Sequence, residues 1–259
     1  MKVIILAAGR GSRLGERTKD RPKCMCELCG RTLLDRCLDI LEKTGVSRSD
    51  IGIVTGYRSD MFQIEGITYF HNPDWDKTNM FRSLTMAREW LKRDACIVCY
   101  SDIVFAPEAI ECLRESSAPL AITSYRGYWD LWKLRMENPL EDLETFRTDG
   151  SGRLLEIGLK PASAADIQGQ FMGLLRFTPE SWGWVEETIR QPLSKPVDEL
   201  DMTTLLQGIL QLGYPIAIIS TDALWLECDS EQDIEIYERE FSEELTLFEK
   251  REDRAKPIR

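Results

Sequence analysis

The chain has 259 residues, 43% of them hydrophobic, so it is long enough for one large α/β domain with a sizeable core. Its net charge of −11 argues against nucleic-acid binding, because phosphate backbones are held by basic surfaces. The short apolar run after Lys2 ends in glycine and arginine, unlike a signal peptide or a membrane span of ~20 residues. We therefore expect a cytoplasmic protein without membrane insertion, whose eight cysteines are reduced thiols.

Strand and helix patterns alternate through the first half of the chain. Continuous apolar runs predict strands at residues 3–8, 51–56, 67–70, 95–100 and 120–125. Apolar residues at helical spacing predict helices at residues 33–43 and about 79–92, and Pro107 is typical of a helix start. This alternation predicts a three-layer α/β/α, Rossmann-like fold with a mainly parallel, mixed sheet.

The rhythm changes after about residue 126. A turn at residues 149–152 separates two strand-like arms, and further strands are predicted at 169–178, 215–220 and 224–228. Helices are predicted at 179–190 and 202–212, and a long charged helix at 231–250. We expect one domain over residues 1–250, with a nucleotide-binding half (about 1–125), an acceptor-binding elaboration (about 126–230) and the C-terminal helix, followed by a flexible tail at 251–259.

Residues 6–23, LAAGRGSRLGERTKDRPK, join a buried strand to a loop rich in glycine and positive charge. Such a turn offers backbone N–H groups to phosphate. No glycine is followed by lysine, which excludes a Walker A loop. The spacing Gly9-x-Gly11-x-x-x-Gly15 is one residue too long for a dinucleotide fingerprint, and the second strand lacks a terminal acid. A tight turn with a solvated basic surface is the structural alternative.

The pattern L-A-A-G-x-G-x-R followed by Pro-Lys resembles the signature of nucleotidyltransferases that join a nucleoside triphosphate to a phosphorylated small molecule. The resemblance implies a fold of the nucleotide-diphospho-sugar transferase type and a glycine loop around the triphosphate. It also maps the family's arginine and lysine to Arg13 and Lys23. The full set of expected nucleotide-binding residues, including some outside this loop, is Leu6, Ala7, Ala8, Gly9, Gly11, Arg13, Lys23, Asn79, Ser83 and Ser101.

Nucleotidyl transfer needs a divalent cation, usually Mg²⁺, held by carboxylates. Asp102 follows the strand at 95–100, at the edge where ligand sites of open α/β sheets lie. Glu227 and Asp229 alternate along another strand and so share one face. The resemblance maps the metal ligands to Asp102 and Asp229, with Glu227 as a helper. A capping aspartate and plain surface charge are the alternatives.

The cysteines Cys24-x-Cys26-x-x-Cys29 offer a zinc alternative, with Cys37 as a fourth candidate at an unfamiliar spacing. Buried thiols are the favoured interpretation. Cys96 and Cys99 are expected on opposite faces of a strand.

The stretch HNPDWDKTNMFRSL (residues 71–84) narrows the resemblance to bacterial phosphocholine, aminoethylphosphonate and phosphoglutamine cytidylyltransferases. Asn79 and Ser83 can pair with cytosine, which presents both donors and acceptors. A helix cap is an equal alternative for Asn79. Trp75 suits either base stacking or packing inside the loop.

The acceptor site is expected around SYRGYWDLWKLR (residues 124–135). Aromatic faces attract ammonium groups, and arginine forks fit carboxylate or phosphate. Lys160 resembles the family's second lysine, which contacts the acceptor phosphate. The expected acceptor-binding residues are Tyr125, Arg126, Trp129, Trp132, Arg135, Lys160 and Gly173. The alternative is an amphipathic element with its tryptophans in the core and its arginines in solvent.

We therefore expect a Mg²⁺-dependent enzyme that joins CMP from CTP to a small phosphorylated or phosphonate acceptor and releases pyrophosphate. Its expected catalytic residues are Arg13, Lys23 and Lys160. L-Glutamine phosphate is the favoured acceptor, before aminoethylphosphonate and phosphocholine, and decoration of a capsule polysaccharide or lipid is the expected purpose. A sugar-1-phosphate nucleotidyltransferase and a non-catalytic nucleotide-binding regulatory module are the alternatives, and a homodimer is left open.

Overall fold

The computed structural model describes residues 1–250, and the side chains of residues 1–246. The strands are β1 Lys2–Ala7, β2 Glu27–Leu28, β3 Arg31–Thr32, β4 Ile51–Thr55, β5 Thr68–His71, β6 Cys96–Tyr100, β7 Ile103–Phe105, β8 Leu120–Tyr125, β9 Phe146–Thr148, β10 Leu154–Ile157, β11 Gln170–Phe177, β12 Ala217–Thr221 and β13 Trp225–Glu227. The α-helices are α1 Leu33–Lys43, α2 Met80–Thr85, α3 Arg88–Arg93, α4 Pro107–Glu115, α5 Tyr128–Arg135, α6 Pro179–Thr188, α7 Met202–Gln211, α8 Glu231–Glu240 and α9 Ser242–Lys250. The expected tail at 251–259 lies outside the described residues.

Seven strands form the central sheet in the order β12-β8-β11-β6-β1-β4-β5. Every neighbouring pair is parallel except those made by β11, which runs antiparallel to both β6 and β8. The predicted mixed, mainly parallel sheet is confirmed. Near the end of β1, Leu6 lies between Val54 of β4 and Tyr100 of β6, so the carboxyl ends of three strands share one edge.

Apolar side chains on alternate faces of the sheet build two cores. Val3 and Ile5 belong to one core, whereas Ile4 and Leu6 belong to the other. Each fully buried side chain of this kind contributes about 1.5–3 kcal/mol. Cys96 and Cys99 lie in different cores, which confirms their predicted separation. Within residues 1–250, no helix combines the length and the apolar character needed to cross a bilayer.

The sequence patterns did not predict two short strand pairs. β2 and β3 form a hairpin whose turn, Cys29-Gly30, has positive φ at both residues (50° and 76°), as hairpin turns of the primed type require. β7 pairs antiparallel with β13, and Ile103 lies opposite Glu227. Beside this pair, the Cys228 amide donates to the Asp102 carbonyl at 2.8 Å. The pairing of β7 with β13 therefore brings the two C-terminal acids, Glu227 and Asp229, to the end of β6.

Two predicted helices are broken in the structure. The helix expected at 79–92 divides into α2 and α3, joined by backbone bonds of the i→i+3 type, such as Ala87 N to Leu84 O at 3.1 Å. This tighter turn keeps the buried Phe81, Leu84 and Ala87, spaced by three, on one face. The helix expected at 231–250 breaks at Phe241, whose φ is −120° and whose ring packs edge-on against Tyr237 at 5.8 Å.

Candidate active site

The opening loop places one lysine against two acids. Gly11 has a φ of 72°, and a Cβ at this position would lie 2.6–2.8 Å from the side-chain carbons of Lys23. Glycine therefore lets Lys23 cross the loop. The Lys23 ammonium lies 2.6 Å from Asp102 Oδ2 and 2.6 Å from Asp229 Oδ1, while Arg13 Nη2 lies 3.1 Å from the same Asp229 oxygen. Loop and acids thus converge at one edge of the sheet.

Opposing effects set the charges of this cluster. Burial favours the neutral form of Lys23, but the adjacent Asp102 and Asp229 raise its pKa overall, so the ammonium stays charged. Burial likewise acts to raise the pKa of Asp229, yet Lys23 and Arg13 bring it below the usual value. Glu227 differs from both. Its burial and the nearby Asp229 raise its pKa to about 8, against the opposing effect of Arg135.

The carboxylates suit a hard cation. Asp102 Oδ1 is buried and has no hydrogen-bond partner among the described residues, so it has an unused lone pair. In the described part of the chain, no group of three or more His, Cys, Asp or Glu is arranged to hold a metal. Mg²⁺ typically takes only one or two protein carboxylates and completes its shell with water and phosphate. Asp102 and Asp229 fit that pattern.

Within residues 1–246, the cysteines are not arranged as the zinc site considered as an alternative. Cys24, Cys26 and Cys37 are buried free thiols. Burial is the main cause of the raised pKa of Cys24 and of Cys26, which disfavours the thiolate that zinc requires. These side chains therefore belong to the core beneath the opening loop.

A pocket of about 150 Å³ lies beside the opening loop. It is lined by Leu6, Ala8, Gly9, Trp75, Thr78, Asn79, Met80 and Ser83. Ala7 ends β1 here, and Ser101 follows β6 as a buried residue. The strand ends and the start of α2 thus enclose a space next to the predicted phosphate loop.

Asn79 is engaged by its own surroundings. Its Oδ1 accepts from the Met80 amide at 2.7 Å and its Nδ2 donates to the Glu199 carbonyl at 3.2 Å. These are the contacts of the helix cap that was the alternative for Asn79. A contact of Asn79 with a base stays a prediction. Ser83 Oγ accepts from Asn72 Nδ2 at 3.0 Å, so its own hydroxyl hydrogen can serve another acceptor. Trp75 packs against Tyr57, with ring centroids 5.2 Å apart.

Sequence reasoning missed Asn72. This residue is fully buried, donates to both Thr78 and Ser83 at 3.0 Å, and accepts from the Asp74 amide at 3.0 Å. It therefore shapes the wall of the pocket. Its signal was the Asn-Pro dipeptide of HNPDW, which is typical of a turn held by an asparagine side chain.

Two of the predicted acceptor-binding residues, Trp132 and Arg126, make their contacts with other parts of the protein. Trp132 is 1% exposed, stacks on Trp225 with centroids 6.0 Å apart and donates from Nε1 to Asp142. This placement corrects the prediction for Trp132, because Trp225 and the Arg135 guanidinium lie against its ring. Arg126 is exposed and forms an ion pair with Asp222.

The remaining acceptor candidates are placed as follows. Trp129 and Tyr125 are partly buried, with Lys133 Nζ 5.8 Å from the Trp129 ring and Tyr125 tilted against Trp225. Lys160 is exposed, and its ammonium donates to the carbonyls of Leu140 and Glu141 at 2.6 and 2.7 Å. It is thus held by the backbone and not by the acids around Lys23, and its role with a phosphate stays a prediction.

Gly173 meets a steric need within β11. Its φ is 75°, and a Cβ there would lie 2.7 Å from the Tyr100 ring. Glycine therefore lets Tyr100, just before Asp102, pack across the sheet. Its contact with an acceptor stays a prediction.

Known proteins share both the sequence pattern and the fold. A sequence profile described as the MobA-like NTP transferase domain matches residues 3–162. The chain is 32% identical over 254 residues to CTP:phosphoglutamine cytidylyltransferase of Campylobacter jejuni, covering 91% of this chain and 98% of that protein. It is 34% identical over 241 residues to CMP-5′-(3-aminopropyl)phosphonate synthase of Streptomyces rubellomurinus, covering 88% of this chain and 35% of that longer protein.

A solved structure supports the fold. CTP:phosphocholine cytidylyltransferase of Streptococcus pneumoniae superposes with a TM-score of 0.69 at 18% identity, over 92% of this chain and 97% of that one. The predicted fold class is confirmed. The sequence relatives confirm the predicted resemblance to nucleotidyltransferases and, within them, to cytidylyltransferases.

Proposed function

Because the chain belongs to the family of MobA-like NTP transferase domains, we propose that it transfers CMP from CTP to a small phosphorylated or phosphonate acceptor and releases pyrophosphate. The observation that carries this proposal is the convergence of Lys23 with Asp102 and Asp229 at 2.6 Å. A phosphate loop and two acids meet at the edge where open α/β sheets bind ligands.

The reaction needs charge neutralisation and alignment. An acceptor oxygen forms a bond to the α-phosphorus of CTP, and the bond from that phosphorus to the bridging oxygen breaks, so its electron pair leaves with pyrophosphate. Lys23 and Arg13 offset negative charge on the reacting phosphates. The acceptor oxygen is already anionic, so no side chain has to remove a proton and no covalent enzyme intermediate is needed.

Asp102 and Asp229 would hold Mg²⁺, with Glu227 as a direct or water-mediated helper. The bound ion would supply further neutralisation of the triphosphate. The unpartnered Asp102 Oδ1 supports this assignment. In the structure the Lys23 ammonium supplies the positive charge between these two carboxylates, 2.6 Å from each.

The relatives favour an acceptor that carries an amino group. One relative is named for phosphoglutamine and another for an aminopropylphosphonate product. We extend this to L-glutamine phosphate as first choice, with aminoethylphosphonate and phosphocholine next. Tyr125 and Trp129 are only partly buried, which supports a role for their rings in facing an ammonium group. We also propose a cytoplasmic location and a purpose in cell-surface decoration; free thiols support the former.

The test incubates the protein with Mg²⁺, one of CTP, UTP, dTTP, ATP or GTP, and one acceptor, and measures pyrophosphate. The acceptors are L-glutamine phosphate, aminoethylphosphonate, phosphocholine and glucose-1-phosphate. We expect CTP with an amino-bearing acceptor to give the highest rate, because a site hydrogen-bonded to one base rejects another. A preference for UTP or dTTP with glucose-1-phosphate would establish the sugar-nucleotide alternative. CTP binding without turnover for any acceptor would favour a regulatory module.

A further inference from the structure

Arg135 is a buried cation at the end of α5. Its side chain is 3% exposed, and its Nε and Nη2 lie 2.8 and 3.2 Å from the two carboxylate oxygens of Asp233. The guanidinium carbon lies 4.5 Å from the centre of the Trp132 ring. A carboxylate and an aromatic ring thus fix both the plane and the direction of the arginine fork.

Asp233 connects this fork to the turn that carries Asp229. Its Oδ2 accepts from the Asp229 amide at 3.0 Å and from the Ser230 amide at 2.9 Å. It also belongs to the capping box with Ser230 at the start of α8. Because Asp233 is 4% exposed, its charge depends on Arg135 for compensation. Arg135 therefore holds the backbone next to Asp229 through Asp233.

The same guanidinium also faces the two C-terminal acids directly. Its Nη1 lies 3.5 Å from Glu227 Oε2, and its Nη2 lies 3.8 Å from Asp229 Oδ2. The other oxygen of Asp229, Oδ1, contacts Lys23 at 2.6 Å. Lys23 and Arg135 thus contact different oxygens of the Asp229 carboxylate. These two contacts fix the rotation of this carboxylate relative to Asp102.

We propose that Arg135 is a positioning residue that orients Glu227 and Asp229 toward Asp102, partly through Asp233, and that it does not bind the acceptor. The proposal rests on the proposed function in taking these acids as metal ligands. It replaces the sequence-based expectation that Arg135 pairs with a carboxylate or phosphate of the acceptor. Its four carboxylate-facing contacts leave the fork engaged within the protein.

The test uses Arg135→Lys, which keeps the charge but loses the fork, and Arg135→Gln, which loses both. Mn²⁺ binding is measured by EPR with and without CTP, and acceptor KM and kcat are measured in parallel. We expect the affinity for Mn²⁺ to fall by about 10-fold or more in both variants. This is the usual scale for losing an outer partner of a metal ligand. We expect kcat to fall and acceptor KM to stay within about twofold.

The direction of the Mn²⁺ effect discriminates between mechanisms. If Arg135 acted only as a nearby charge, Arg135→Gln would tighten Mn²⁺ binding, because a repelling cation would be gone. Tighter or unchanged Mn²⁺ binding overturns the proposal. A rise of about tenfold in acceptor KM with unchanged Mn²⁺ binding would instead make Arg135 an acceptor ligand. Arg126→Gln, at an exposed arginine nearby, is the matched control and should leave Mn²⁺ binding unchanged.

Stability is checked by thermal unfolding, since an unpaired Asp233 can destabilise the fold. If Arg135→Gln fails to fold, Arg135→Lys decides by the same criteria. A wild-type protein that binds no Mn²⁺, even with CTP, would overturn the metal assignment and this proposal together. A wild-type protein that binds Mn²⁺ but transfers no CMP would defeat only the proposed function, and the Mn²⁺ affinities of the variants would still decide the role of Arg135.

Discussion

The opening loop and the segment at residues 124–135 were both predicted as binding regions, yet the fold uses them differently. The loop brings Lys23 and Arg13 to Asp102 and Asp229. In the second segment, Trp132 lies in the core and Arg126 pairs with Asp222 on the surface. Only part of that segment remains available to a substrate.

The difference lies in what fixes each side chain. A residue that follows a parallel strand is placed at the sheet edge by topology, so Asp102 has little freedom to lie elsewhere. A residue within α5 can face the core or the solvent. Tyr128, Trp129 and Trp132 place aromatic side chains on several sides of this helix. Composition alone therefore could not distinguish a substrate cage from core packing.

The largest expected effect tests the core role of Trp132. Trp132→Ala should lower the free energy of unfolding by about 3–5 kcal/mol, because it empties a fully buried site. Chemical denaturation measures this, with the less buried Trp129→Ala as a control expected to cost much less. A loss below about 1 kcal/mol together with a raised acceptor KM would return Trp132 to the binding site.

The next effect tests the sheet edge. Asp102→Asn keeps the shape of the side chain but removes its charge, so CMP transfer should fall at least ~100-fold, the scale of losing a major electrostatic contact. Pyrophosphate release under saturating CTP and acceptor measures this. Asp222→Asn, at an exposed ion pair, is the control. Near-normal turnover with an unchanged Mg²⁺ requirement would remove Asp102 from the site.

A smaller effect concerns Lys160. Its ammonium donates to two backbone carbonyls, so Lys160→Met should cost about 0.5–1.5 kcal/mol of stability and leave acceptor KM within about twofold. Denaturation and steady-state kinetics measure the two quantities. A rise of tenfold in acceptor KM would instead support the predicted contact with the acceptor phosphate.

The smallest effect is a pH dependence of stability that comes from Glu144, in the predicted acceptor-binding part of the chain. Burial raises the pKa of Glu144 above its usual value, so the native state favours the protonated form and loses stability as the pH rises past the unfolded pKa of about 4.3. Glu144→Gln mimics the neutral form. It should therefore be more stable than wild type at neutral pH by less than about 1 kcal/mol, with the gap vanishing near pH 4. Thermal unfolding from pH 4 to 8 measures this, with exposed Glu141→Gln as control; a gap that narrows with rising pH would contradict it.

The sequence predicted the order of the main strands and helices, because apolar runs and helical spacing are local signals. It also predicted that Asp102 follows a strand, whereas Asp229, expected along a strand, lies just after the end of β13. It missed the pairing of β7 with β13, since nothing near Ile103 indicates a partner more than a hundred residues later. The contact of Arg135 with Asp233 was hidden for the same reason, because two elements distant in sequence create it.

The span of the Lys23 contacts has a consequence for biosynthesis. Asp102 lies 79 residues after Lys23, whereas Asp229 lies 206 residues after it. During translation the first carboxylate is therefore synthesised well before the second. Closing such a long loop carries an entropic cost and raises the contact order of the fold, which slows folding. The pair of carboxylates is therefore complete only after all seven strands of the central sheet have been synthesised.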